Sequence, residues 1–221
     1  MTGPADSNQR STPKLSEPGK QAPEMIGAAP GEQHAAPGSL SLPDSRPSRR
    51  YRTIVADPPW HYPFGHPARE HKKHPYPTLT IGELCELPVS DWADQSAHLY
   101  LWTTNEHLRF AFQVLGAWGF TFKNVLVWCK PGLGMGGTFR NSHEIVLLGE
   151  RGRCDLKRRN QGTWFALPNP RENSAKPDGF LDLVESVSHG PYLELFARRQ
   201  RLGWDTWGDE ALQHVEIAWP A

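Results

Sequence analysis

The chain lacks a surplus of either charge: 24 Lys and Arg residues stand against 24 Asp and Glu in a chain of 221. That excludes a whole-protein field that gathers polyanions, so any nucleic-acid contact falls to local basic patches. Cysteine is scarce. Cys85, Cys129 and Cys154 are widely spaced and form no C-x-x-C pair. The odd count argues against a disulfide framework and for a reducing, cytoplasmic setting. No run of about 18 apolar residues is present, so no membrane span is expected. The N-terminus has no apolar signal core. No G-x-G-x-x-G follows a strand-like run. Gly132, Gly134, Gly136 and Gly137 come closest in composition, but Phe139-Arg140-Asn141 and another strand-like run follow them instead of a helix. That argues against a phosphate-cradling helix start and for a mobile active-site loop.

Tryptophan, in contrast, is abundant. All nine lie after residue 59, which marks where the folded domain is. Residues 1–48 are rich in Pro, Gly, Ser and Ala and cannot bury enough apolar surface to offset their ordering entropy. They are expected to form a disordered tail, with the domain over 49–221. Arg46, Arg49, Arg50 and Arg52 cluster at the junction, either as a solvated linker or as a phosphate-contacting arm.

The domain alternates strand-like and helix-like runs. Strands are expected at Thr53–Ala56, Ala97–Thr103, Phe122–Cys129, Glu144–Gly149, Tyr192–Ala197 and His214–Ala218. Helices are expected at Thr80–Leu87, where Thr80 and Glu83 have capping-box spacing, at Asn105–Trp118, closed by Gly119, and at Pro177–Ser188. Such alternation implies an α/β fold, a mostly parallel sheet with helices on both faces. Ligands of such sheets sit beyond the carboxyl ends of the strands, at a switch point in strand order. Asp57, Lys130 and Arg198 each follow a predicted strand and are expected on one rim.

Asp57-Pro58-Pro59-Trp60 is the most informative stretch. The two prolines fix φ and remove two backbone donors, leaving carbonyls beside a fixed acid and a large flat ring. This set suits a planar amino group on an aromatic base, although a rigid turn with a Trp plug explains four residues equally well.

Further stretches carry a resemblance. DPPW, His74-Pro75-Tyr76-Pro77-Thr78, HLYLWTTN, VLVWCKPGLGMGGTFRNSHEIVLLG and PYLELFARRQRLGWDTWGDE are similar to the adenine-N6 methyltransferases. That family includes the catalytic subunit of the eukaryotic mRNA N6-adenosine methyltransferase and compact bacterial and phage members. The likeness spans about residues 51–210. It implies a Rossmann-like methyltransferase fold in permuted order, with S-adenosyl-L-methionine as cofactor and adenine N6 in nucleic acid as acceptor. DNA is favoured over RNA. The rival reading is a catalytically silent partner subunit, against which the intact DPPW speaks.

The resemblance assigns catalysis to Asp57, Pro58, Pro59 and Trp60. The Asp57 side chain and Pro58 carbonyl would accept hydrogen bonds from the amino group, restoring its lone pair. Trp60 and Tyr76 would hold the base plane, and Lys130 would stand on the substrate side. Cofactor contacts would fall to Asp57, Lys176 in Ser174-Ala175-Lys176-Pro177, Arg198, Asp209, Glu210 and Asn141. The family often has His where this chain has Asn173. A protein partner or a homodimer is compatible with the single compact domain.

His61, His66, His71 and His74 are irregularly spaced and lack Cys partners, so no metal is expected. Arg69, Lys72 and Lys73 in that loop suit phosphates. Arg151, Arg153, Lys157, Arg158 and Arg159, followed by Trp164 and Phe165, suit either a single-strand contact or a solvated loop. Trp204 and Trp207 read as packing residues.

Overall fold

Tyr51–Ala56 forms the first strand, β1, and is apolar on both sides. Ile54 and Ala56 enter one core cluster and Val55 the other, as period-two alternation requires of a strand buried between two layers. The protein is described by a computed structural model over residues 49–61, 78–134, 138–170, 172 and 175–208. All of these belong to one unit, Pro37–Ala221. The expected tail, the loop histidines beyond His61 and the strand at His214–Ala218 lie outside the described residues.

Parallel to β1 on one side runs β2 (Ala93–Thr103), with Ile54 opposite Leu99. On the other side runs the late strand β6 (Tyr192–Leu195), with Ile54 opposite Leu193, and β7 (Trp204–Trp207) lies parallel beyond it. Outside β2 come β4 (His143–Arg151), β3 (Thr121–Cys129) and β5 (Trp164–Ala166). The sheet order is β5-β3-β4-β2-β1-β6-β7. The largely parallel sheet is thus as expected, with one difference. β4 is antiparallel to both its neighbours, because the described residues between β3 and β4 hold no crossover helix and the chain returns from the rim where β3 ends.

The order reverses at β1. Strands β2 to β5 lie on one side of it and β6 and β7 on the other, so the crevice between the ends of β1 and β6 is the switch point. The carboxyl ends of β1, β2, β3, β6 and β7 and the start of β4 share that rim.

Three helices, α1 (Ile81–Glu86), α2 (Val89–Trp92) and α3 (Leu108–Ala117), cover one face. They bury Leu84, Trp92, Val114 and Leu115 against Leu99, Leu101 and Leu147. α4 (Gly179–Val187) covers the other, setting Phe180 and Val184 among Val55, Tyr100 and Trp102. The Thr80–Glu83 capping box is present: Glu83 N–H donates to Thr80 Oγ1 at 3.3 Å and Thr80 N–H to Glu83 Oε2 at 2.7 Å. α3 gives way to Gly119 at φ 81°. Phe112, four residues after Leu108 along the helix, is 40% exposed and packs edge-on against Phe122 at 5.1 Å. Ala111 takes the inward position. The short elements α2, β5 and β7 had no separate signal in the sequence.

Candidate active site at the switch point

Asp57 follows β1 directly and leaves the sheet at the switch point, with its N–H directed to Leu195 O of β6 at 3.5 Å. Lys176 arrives from the approach to α4, and its Nζ donates to Asp57 Oδ2 at 2.7 Å. The same Nζ lies 3.4 Å from Glu144 Oε2 at the start of β4 and 5.2 Å from the centre of the Trp102 ring. Glu144 Oε1 in turn accepts from Lys130 Nζ, which sits 4.5 Å from the centre of the Trp128 ring. Two acids and two lysines from four separate elements thus form one chain of alternating charge across the rim.

Burial pushes the Asp57 carboxyl above its ordinary value, against the pull of Lys176. Burial also acts to lower the Lys176 ammonium, but Asp57 and Glu144 outweigh it and hold the group above its ordinary value. Lys176 therefore stays a cation, which makes it the group that keeps a carboxylate in a dehydrated place. A carboxylate has two oxygens and about four lone-pair directions, so Asp57 can accept an N–H donor while it holds Lys176.

The DPPW turn is fixed by its own hydrogen bonds. Pro58 O accepts Trp60 N–H at 2.9 Å, and Pro59 O accepts Leu79 N–H at 2.8 Å. The carbonyls expected to be free are thus engaged, and Pro58 O has only its second lone pair to offer. Trp60 is buried. Its Nε1–H donates to Trp102 O at 3.2 Å, and its ring stacks on His107 at 5.5 Å and 20°. It locks the turn onto the ends of β2 and α3. His107 is held between Thr104 Oγ1 at 3.1 Å and His61 O at 3.0 Å, and burial lowers its proton affinity.

Beside Asp57 opens a cavity of about 380 Å³, within the roughly 300–1,000 Å³ range of small-molecule sites. Val55, Trp102, Phe180 and Phe196 give it apolar walls, while Asp57, Lys176, Glu194 and Arg198 supply charge. The chain leaves β6 through Phe196 at φ 62°, a conformation uncommon for a bulky side chain, and this turn brings Arg198 to the cavity. Glu194 of β6 is pushed from 4.5 to about 7, first by burial and then by the charge of Asp57. Arg201, also in the lining, is engaged by Glu185 Oε1 at 2.9 Å and by Asp182.

The structure therefore brings together Asp57, Pro58, Pro59, Trp60, Lys130, Lys176 and Arg198. Asn141 stands at the edge, accepting from Asn105 Nδ2 at 3.5 Å, with Asn105 Oδ1 3.2 Å from His143 Nε2. Tyr76, Asp209 and Glu210 lie outside the described residues. The basic segment after β4 is partly structural: Arg151 donates to Ser90 O at 2.6 Å and Lys157 to Glu185 O at 2.8 Å. Trp164 is 65% exposed whereas Phe165 is buried. Sequence reasoning missed Glu144 and Glu194. The signal for Glu194 was a lone acid inside the apolar run YLELFA, and for Glu144 a strand beginning where the Gly-rich return loop ends.

Strand order and the crevice at the switch point give this chain a Rossmann-like α/β fold, with the acid-bearing strand first and Lys176 and Arg198 supplied late. Its family follows from comparison: residues 51–210 match the MT-A70 model, and the chain belongs to the MT-A70 family. It is 29% identical over 186 residues to the Type II methyltransferase M.MunI of Mycoplasma sp, covering 74% of this chain and 79% of that protein. It is 26% identical over 172 residues to the N(6)-adenosine-methyltransferase catalytic subunit METTL3 of Homo sapiens, and 28% over 178 residues to the N6-methyladenosine RNA methyltransferase MTA1 of Cryphonectria parasitica. These matches cover 73% and 72% of this chain but only 28% and 51% of those relatives. Among the described residues no helix is long and apolar enough to cross a membrane.

Proposed function

We propose that this chain methylates the N6 amino group of adenine in DNA, using S-adenosyl-L-methionine. The observation that carries the reading is the Asp57 carboxylate, held by Lys176 at 2.7 Å on the rim of a cavity of about 380 Å³. The residues present suit the cofactor. Lys176 and Arg198 match its carboxylate, Asp57 and Glu194 its amino and hydroxyl donors, and Trp102, Phe180 and Phe196 its flat and apolar parts. When bound, it supplies a methyl group on a sulfonium sulfur.

Asp57 accepts a hydrogen bond from the adenine amino group, drawing the nitrogen toward sp³ and freeing its lone pair for attack. Positive charge would develop on that nitrogen as it takes the methyl group and the electron pair of the methyl–sulfur bond stays with sulfur, and a carboxylate fixed in advance stabilises it. The nitrogen then sheds one proton, and Asp57 is the base beside it. Lys176, itself held by Glu144, keeps Asp57 in place, so approach geometry supplies much of the acceleration. Adenine in a duplex must leave the stack to reach this rim, at a cost of a few kcal/mol.

DNA is preferred because the relative matched over most of its own length bears the Type II designation, while the longer ones are named for adenosine or RNA. The test is transfer of labelled methyl groups to DNA and RNA oligonucleotides of equal adenine content. Labelled DNA with little label in RNA is expected. The reverse ratio overturns the choice of polymer, and label in neither, with cofactor bound, overturns the reading.

A further inference from the structure

We infer that His98, Glu150 and Cys154 form a binding site for a divalent transition metal of zinc type, separate from the methyl-transfer site. Their ligand atoms lie within 4.8 Å of one another. The site stands toward the opposite end of the sheet from Asp57. His98 of β2 pairs with Thr53 of β1, four residues before Asp57, so about 13 Å of strand separates the two places.

The backbone converges the three side chains. His98 and Glu150 face each other in the β2–β4 register. Cys154 follows four residues on, and its N–H donates to Glu150 Oε1 at 3.1 Å, which folds the turn back over the strand pair. The donors are an imidazole nitrogen, a carboxylate oxygen and a thiol sulfur. That mixed set favours zinc over magnesium or calcium, which take oxygen alone. A thiolate and a carboxylate supply two negative charges, the latter shared with Lys123, and water completes a four-coordinate site.

The surroundings of His98 suit a ligand. Its Nδ1 lies 3.0 Å from Ser188 Oγ, which in turn lies 2.7 Å from Tyr100 OH. This fixes the ring and leaves Nε2 to bind, the arrangement usual for metal-bound histidine. Glu150 is held at Oε2 by Lys123 at 2.5 Å, so Oε1 is the ligand oxygen, through the lone pair that the Cys154 N–H leaves. The Glu150 side chain is 16% exposed, which gives an ion a way in. Bonds of about 2.0–2.3 Å to zinc require donors roughly 3.5 Å apart. Rotation of Cys154 about its side chain closes that difference, exchanging its bond to Arg151 O, 3.4 Å long, for one to the metal. The sulfur–metal bond forms as the thiol proton leaves to solvent.

The test is titration of the full-length protein with Co(II) and Zn(II), monitored by absorption and by competition with a chromophoric chelator. One equivalent of Co(II) is expected to give a sulfur-to-cobalt charge-transfer band and the strong visible bands of a four-coordinate site. Cys154→Ser removes the charge-transfer band and weakens Zn(II) binding by more than roughly 100-fold, since even outer-shell changes cost 10–100-fold. Cys85→Ser and Cys129→Ser keep both. The histidines of the 61–77 segment can bind metal without sulfur, so binding without the charge-transfer band counts against the site. No stoichiometric binding in the wild type, or a band that survives Cys154→Ser, also overturns it.

Discussion

Lys176→Met isolates the group on which the charge arrangement at the rim depends. Methionine is unbranched and one atom shorter, and removes the charge. Asp57 then faces a dehydrated site without the cation that sits 2.7 Å from Oδ2, while Glu144 keeps Lys130. Removing one member of a fully buried pair costs about 3–5 kcal/mol. The side chains of Lys176 and Asp57 are 19% and 30% exposed, and water reaching them reduces the expected loss to about 2 kcal/mol. For a domain of this size that is a fall in Tm of roughly 4–8 °C. The sign of the pH dependence is fixed as well. Burial already raises the Asp57 carboxyl in the wild type, and without Lys176 it rises further. The folded variant then holds its proton more tightly than the unfolded chain, so its deficit grows as pH climbs through the folded-state value and shrinks in acid. Urea unfolding of wild type, Lys176→Met, Asp57→Asn and the double variant measures the coupling directly. The double variant is expected to be more stable than the sum of the single losses predicts, by about 1–2 kcal/mol. Strictly additive losses, or a Lys176→Met protein as stable as wild type at neutral pH, would refute the reasoning.

Three further changes have definite expected outcomes. Glu194→Gln removes a carboxyl displaced from 4.5 to about 7. Wild-type stability from this group is full below about pH 4.5 and lost by about pH 7, so the variant gains up to roughly 3 kcal/mol relative to wild type above pH 7 and nothing in acid. A flat difference across a pH series of thermal melts would contradict this. Trp60→Phe removes the donor to Trp102 O and part of the stack on His107. It is expected to cost about 1–3 kcal/mol in urea unfolding and to lower methyl transfer through a looser DPPW turn. Gly152→Ala forces a side chain into a φ of 64° with its Cβ 2.2 Å from Gln95 O. A loss of about 2 kcal/mol or more is expected in the same assay, and an unchanged midpoint would show that the turn relaxes freely.

Much of this fold was legible because local signals agreed with the layers. The apolar runs of β1 and β2 are buried on both faces and that of β6 on one, and their composition says so. The capping box at Thr80 and the glycine at 119 marked helix ends by chemistry that acts locally. Asp57, Lys130 and Arg198 could be placed on one rim because they follow strands that run the same way. Glu144 could not, because EIVLLG has the same composition whether it runs up or down, and its direction decides which rim the acid occupies. The missing crossover helix between Cys129 and His143 held that information. The role of Trp60 was hidden for another reason. A large ring beside an acid serves a substrate or a core equally well in sequence, and only the stack on His107 and the bond to Trp102 O show that the core holds it. β5 and β7 are three and four residues long, too short for a periodic pattern to stand out.

The central claim is that Asp57 accepts the adenine amino group. Nucleoside mass spectrometry of DNA incubated with S-adenosyl-L-methionine and either wild-type or Asp57→Asn protein tests it most directly. Asparagine keeps the shape of the side chain and loses its charge. N6-methyladenine is expected with the wild type and at least about a 100-fold lower yield with Asp57→Asn, at unchanged DNA binding. N6-methyladenine formed equally by both proteins, or a methylated base other than adenine, would contradict it.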